Sequence, residues 1–224
     1  MRALNTGPFM ILLRLSPLFL FSACEPEIPE DATMLAMGDS YFDYHEGSDI
    51  PDVAAARSGH VVYNAAISGA QLSSEEYAIP SQWVDGDWQV LLLNGGGNDA
   101  NDQCSCGACD AVLDGVISPN ADSGVLVDLI QDTIQQGTPV VFMAYPEPPD
   151  GAEHGFDECR ELMHEQSRRV KLLAEEESDL SFVDAGDVIS PTNLDYFEED
   201  QVHPSELGAR VIGEYIAQFL PEPE

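Results

Sequence analysis

Short apolar runs bounded by turn residues recur along the chain. They fall at residues 34–37, 61–67, 88–93, 140–144 and 180–183. Several are rich in Val and Ile, and each is too short for a helix. Such runs mark strands buried on both faces of a parallel sheet. The segments between them carry helical spacing. Val125, Leu126, Leu129, Ile130 and Ile134 fall on one face before the fourth run. A charged, amphipathic stretch covers about residues 156–177. Leu207, Val211, Ile212, Tyr215, Ile216 and Phe219 mark a last helix, with Pro204 suited to its first turn. Strands alternating with helices predict an α/β fold with helices on both faces of the sheet. No internal repeat is visible. One long irregular segment is expected at about residues 100–124, pinned by cysteines.

The N-terminus stands outside this pattern. Arg2 and Arg14 precede a short Pro-interrupted apolar run, the layout of a secretory signal over residues 1–23. Phe21-Ser22-Ala23-Cys24 resembles a bacterial lipobox, which makes Cys24 the expected lipidation site and mature N-terminus. Residues 24–32, rich in Pro and Glu, read as a tether, and residues 33–224 as one domain. The expected location is the bacterial cell envelope, with a lipid anchor through Cys24 as the membrane link.

Charge narrows the ligand class. The net formal charge is −33. Without Arg2 and Arg14, six cations face 41 acids, giving −35. Such a surface repels nucleic acid and anionic membranes and favours neutral substrates.

Beyond Cys24 the cysteines are Cys104, Cys106, Cys109 and Cys159. An even number in an exported chain favours two disulfides, and three pairings are possible. A bridge between cysteines separated by one residue is strained, which favours Cys159 pairing into the Cys104–Cys109 loop. A four-thiolate zinc site is the alternative. No other metal site is indicated.

The unusual polar residues follow the strands. Gly38-Asp39-Ser40 follows the first, Ser68-Gly69-Ala70 the second, and Gly96-Gly97-Asn98-Asp99 the third. Asp200 and His203 follow the fifth, just before the last helix. In an open parallel sheet these loops gather on one edge. A serine hydroxyl is a weak nucleophile and needs a base, which His203 supplies. The base needs its other nitrogen held, and Asp200 is three residues away. Attack on an ester creates an oxyanion. The N–H groups of Ser40 and Gly69 and the Asn98 amide are candidate donors.

In this order, "GDSY", "AAISGAQ", "GGND" and "DQVHP" make the chain resemble the SGNH (GDSL-type) hydrolases over about residues 32–220. The residue after Ser40 is Tyr41, where that family commonly has Leu. The resemblance implies a three-layer, flavodoxin-like α/β/α fold with a five-stranded parallel sheet. It also implies hydrolysis of acyl esters without a cofactor. Ser40 is the implied nucleophile, His203 the base, Asp200 its orienting acid, and Ser40, Gly69 and Asn98 the oxyanion hole. The expected substrate is a small-molecule, glycan or lipid acyl ester. Short acyl chains are favoured because no long apolar lid segment is visible.

Alternatives remain. "GGGNDA" fits a dinucleotide fingerprint, but follows the third strand and runs into a cysteine loop rather than opening a helix. Asp195, Glu198 or Glu199 could replace Asp200. His45 follows Ser40 closely, and its loop is a candidate pocket wall. His60, His154 and His164 have no partner at a telling spacing. The same residues also suit an acyltransferase that hands the acyl group to a sugar hydroxyl, or an inactive binding protein.

Overall fold

The computed structural model describes residues 28–74 and 77–224. Cys24, the signal segment and the tether as far as residue 27 lie outside the described residues. Five strands are present: β1 (Met34–Met37), β2 (Val62–Asn64), β3 (Val90–Leu93), β4 (Val140–Ala144) and β5 (Leu180–Asp184). They form one parallel sheet in the order β2-β1-β3-β4-β5. The helices are α1 (Ile50–Ser58), α2 (Gly97–Cys104), α3 (Asp110–Val116), α4 (Val125–Gln135), α5 (Arg160–Glu176) and α6 (Glu206–Ile216).

The apolar strands divide by alternation. Leu35, Met37, Leu91, Leu93 and Phe142 face one core with residues of α3, α4 and α5. Met34, Ala36, Leu92, Val141 and Met143 face the other with residues of α1 and α6. The fold is therefore the expected three-layer α/β/α sandwich. Burial on both faces explains why β1, β3 and β4 read as unbroken apolar runs.

Several boundaries differ from the sequence reading. β2 is only three residues long. Its last residue, Asn64, turns the chain, donating to the Phe42 carbonyl at 2.5 Å and accepting from the Ala66 N–H at 3.2 Å. β3 starts at Val90, because the Trp88 indole folds back to donate to the Val84 carbonyl at 2.8 Å. The helix expected from residue 156 starts at Arg160, and a 3-10 turn, Glu153–Cys159, precedes it.

Residues 100–124 are not one irregular segment. They contain the end of α2 and all of α3. The glycine-rich loop after β3 therefore does open a helix, contrary to the sequence reading, although it still follows the third strand.

In α6, only Ile212 and Ile216 of the expected apolar set are buried, beside Gly208, Ala209 and Gly213. Apolar spacing missed this face because close approach, not bulk, defines it. A Cβ on Gly213 would lie 2.6 Å from the Val53 Cβ on α1. Pro204 precedes the helix, and Ser205 caps it by accepting the Gly208 N–H at 3.2 Å.

The cysteines form two disulfides, Cys104–Cys109 and Cys106–Cys159. This pairing takes Cys159 into the loop, as expected, and is incompatible with the four-thiolate zinc alternative.

Candidate active site

The end of β1 is built to hold one residue. Gly38 has no room for a side chain, since a Cβ there would fall 1.7 Å from Asn94 Oδ1. Gln82 clamps the Gly38 peptide from both sides, accepting its N–H at 2.8 Å and donating to its carbonyl at 2.7 Å. Asp39 is buried. Its carboxylate accepts from the Tyr145 hydroxyl at 2.5 Å, Asn94 Nδ2 at 3.1 Å and the Tyr41 N–H at 3.1 Å. Burial raises the Asp39 pKa above the ordinary aspartate range, and these hydrogen bonds only partly offset it. Ser40 follows directly, with its neighbours on both sides fixed.

His203 reaches Ser40 from the turn before α6. Its Nε2 lies 2.8 Å from Ser40 Oγ. Its Nδ1 lies 2.6 Å from Asp200 Oδ2. The other Asp200 oxygen accepts the backbone N–H groups of Val202 and His203 at 2.9 and 3.0 Å. Burial opposes charge on Asp200, but these three hydrogen bonds and the nearby His203 outweigh it and hold its carboxyl below the usual range. The Tyr41 hydroxyl donates to the Val202 carbonyl at 2.7 Å, tying the serine loop to the histidine turn. Tyr41, where the family pattern has Leu, thus has a structural task in this chain.

The neighbouring acids are placed elsewhere. Glu198 lies 3.3 Å from His45 Nε2, which also contacts the Pro204 carbonyl at 3.0 Å. His45 thereby braces the 198–204 turn and does not line the cavity beside Ser40. Asp195 accepts the Ser205 hydroxyl through its carbonyl at 2.7 Å. His60 is buried between Thr33 Oγ1 and the Pro221 carbonyl, 2.9 Å from each. His164 pairs with Glu147 at 2.8 Å on the surface.

Asn98, the second residue of α2, lines the same cavity as Ser40. Nδ2 donates to the Ala70 carbonyl at 3.0 Å. That bond uses one of its two hydrogens. The N–H groups of Ser40 and Gly69 have no hydrogen-bond partner among the described residues. Gly69 sits on an exposed turn after β2, with φ +79°, and does not line the cavity that Ser40 and Asn98 line. Asp99, buried and given no role in the sequence reading, holds that turn's continuation. It accepts the Leu72 and Ser73 N–H groups, each at 2.8 Å, and the Ser73 hydroxyl at 2.6 Å.

The cavity next to Ser40 and Asn98 measures about 20 Å³ and is walled mainly by Tyr41, Tyr145, Pro148, Phe156, Met163 and Val202. Tyr145 stands at the end of β4, and its ring meets Tyr41 edge-on at 4.9 Å. Sequence reasoning expected pocket walls from the loop after Tyr145, but missed the bond of Tyr145 to Asp39 and the roles of Asn94 and Gln82. The available signal was a polar residue directly after an apolar strand, which both Asn94 and Tyr145 are.

The geometry can activate a serine hydroxyl and stabilise an anion beside it. A family model described as GDSL-like lipase/acylhydrolase matches residues 36–211. No curated protein matches the sequence. Among solved structures, the chain is similar to Est24, a carbohydrate acetylesterase from Sinorhizobium meliloti. The TM-score is 0.64 at 16% identity, covering 84% of this chain and 97% of that one. It is similar to an aryl esterase from M. smegmatis, with TM-score 0.63, 15% identity and coverage of 84% and 97%. It is also similar to a GDSL-like lipase from Bacteroides thetaiotaomicron, with TM-score 0.63, 15% identity and coverage of 88% and 92%.

Proposed function

Since the chain belongs to the GDSL-like lipase/acylhydrolase family, we propose that it is an exported serine esterase that hydrolyses short-chain, acetyl-sized carboxylic esters. The observation that carries this reading is the continuous relay from Asp200 through His203 to Ser40, with contacts of 2.6 and 2.8 Å.

Ser40 Oγ attacks the ester carbonyl carbon while His203 Nε2 takes its proton. The new C–O bond pushes the carbonyl electrons onto oxygen, where the Ser40 N–H and the Asn98 amide donate. Collapse breaks the bond to the alcohol, which leaves with the proton from His203. Water then repeats the sequence on the acyl-enzyme, again through His203, and releases the acid and Ser40. Asp200 keeps the imidazole in the productive tautomer and stabilises its charged form.

Acyl size is argued from the cavity. The cavity is small, about 20 Å³, which favours an acyl group of acetyl size over a long chain. Neutral substrates are favoured by the net charge of −33. The Sinorhizobium neighbour's description as a carbohydrate acetylesterase is consistent with an acetylated neutral glycan. Two disulfides support export to an oxidising compartment. The lipid anchor at Cys24 is proposed from the sequence alone.

The test is labelling with a fluorophosphonate probe. The purified domain should label, and Ser40→Ala should not. A folded, oxidised protein that resists the probe would remove the esterase reading.

A further inference from the structure

Two segments outside the catalytic relay converge on the wall of the cavity beside Ser40. Cys106 follows α2, and Cys159 ends the 3-10 turn before α5. They are joined by a disulfide across 53 residues of chain, with Cα atoms 4.6 Å apart. The Cys104–Cys109 bridge closes the loop that carries Cys106. Cys159 itself is fully buried.

The turn that Cys159 ends carries Phe156, and the first turn of α5 carries Met163. Both line the cavity, together with Pro148. The Pro148 carbonyl accepts from Arg160 Nε and Nη2 at 3.1 and 2.7 Å, so the residue after Cys159 holds the start of the same segment. Between them, the Glu153 N–H donates to the Asp200 carbonyl at 2.9 Å. Residues 148–163 therefore form a strap. It is tied by hydrogen bonding to the Asp200 turn and covalently to the loop that follows α2, the helix of Asn98.

We propose that this strap sets the acyl-chain length: Phe156 and Met163 close the far end of the cavity, and the Cys106–Cys159 bridge holds them there. The proposal rests on the esterase reading above. The cavity is small, about 20 Å³, so a chain lengthened within it presses on the walls. On this proposal a longer chain displaces Phe156 or Met163, two of the side chains that line the cavity. Both are half-buried rather than sealed in a core, so packing alone opposes their movement weakly. The disulfide supplies the missing resistance, because a cross-link removes alternative arrangements of the chain it closes.

The experiment compares kcat/KM for p-nitrophenyl acetate and hexanoate. The wild type should favour acetate by about tenfold or more, the scale at which apolar pockets discriminate chain length. Phe156→Ala should shift that ratio toward hexanoate by about tenfold. The double variant Cys106→Ser/Cys159→Ser, checked for folding by thermal melting, should shift it the same way by about threefold or more. If the double variant does not fold, the folded wild type is treated with a phosphine. The bridge becomes two thiols, the phosphine is oxidised to its oxide with oxygen from water, and the same shift is expected.

An active wild type whose ratio is unchanged by Phe156→Ala overturns the strap as selector. A ratio that moves with Phe156→Ala but not on loss of the bridge overturns the role of the disulfide. A folded wild type that hydrolyses neither ester overturns the esterase reading and this proposal with it.

Discussion

The Tyr44 ring lies flat against the His203 imidazole, with centroids 4.2 Å apart and planes 18° from parallel. Its hydroxyl reaches Asp200 Oδ2 at 3.4 Å. The position is imposed from below, since Asp49 accepts the Tyr44 N–H at 3.0 Å and the His45 N–H at 2.6 Å. Tyr44 thus covers one face of the relay and leaves its own outer face to solvent. A π-face stacked on the imidazole attracts the positive charge that the ring carries during the proposed reaction.

Tyr44→Phe keeps the ring and loses only a long contact, so kcat should change less than about threefold. Tyr44→Ala removes the stacked face, which is worth about 1 kcal/mol or fivefold in kcat. Steady-state kinetics on an acetate ester separates the two. Equal losses in both variants would transfer the effect from the ring to the hydroxyl.

Asp200→Asn preserves shape but removes the charge that orients His203. kcat should fall by about 10³-fold or more, with the fold intact by circular dichroism. Asp200 also carries a pH signature. Its carboxyl is held below the usual range by His203 and two backbone N–H groups, against the opposing effect of burial. Its stabilising contribution is complete above the ordinary aspartate range and is lost as pH falls through the lowered value.

Asn98→Ala deletes the side-chain amide proposed to donate to the oxyanion. A lost oxyanion donor lowers kcat by about 10²-fold to 10³-fold with a small change in KM. A large rise in KM at constant kcat would instead mark Asn98 as a substrate-binding residue.

Asp39→Asn tests the buried carboxyl next to Ser40, the proposed nucleophile. Burial raises the Asp39 pKa despite the Tyr145, Tyr41 and Asn94 hydrogen bonds. The folded state therefore holds the Asp39 proton more tightly than the unfolded chain. Its contribution to stability is present below the ordinary value of about 4 and is lost as pH rises through the raised one. Asn does not titrate, so the stability difference, variant minus wild type, should grow as pH rises through that window. Urea unfolding of both proteins from acid to neutral pH measures it, and a constant difference would contradict a raised pKa.

Disulfide mapping under non-reducing conditions should recover two cross-linked peptide pairs, Cys104 with Cys109 and Cys106 with Cys159. A Cys104–Cys159 peptide would redraw the strap.

Much of this molecule was legible in the chain because parallel strands buried on both faces leave a simple mark. β1, β3, β4 and β5 appear as apolar runs, and period-two alternation then sorts each run between two cores. The position of Ser40, Asn98 and the Asp200–His203 turn on one edge follows from direction alone, because every strand points the same way. Small residues hid the rest of α6, where Gly208, Ala209 and Gly213 are buried by close approach to neighbouring chain.

What the sequence by itself determined was the order of elements, the edge on which the polar residues meet, and the types of group available there. Only the tertiary structure decided which groups touch. Tyr145 is 106 residues from Asp39, and Phe156 is 116 residues from Ser40, yet the first bonds Asp39 and the second walls the cavity beside Ser40. No local periodicity encodes such contacts. They depend on the register of β4 beside β3, the reach of the strap and the pairing of Cys106 with Cys159, which exist only once the sheet has closed.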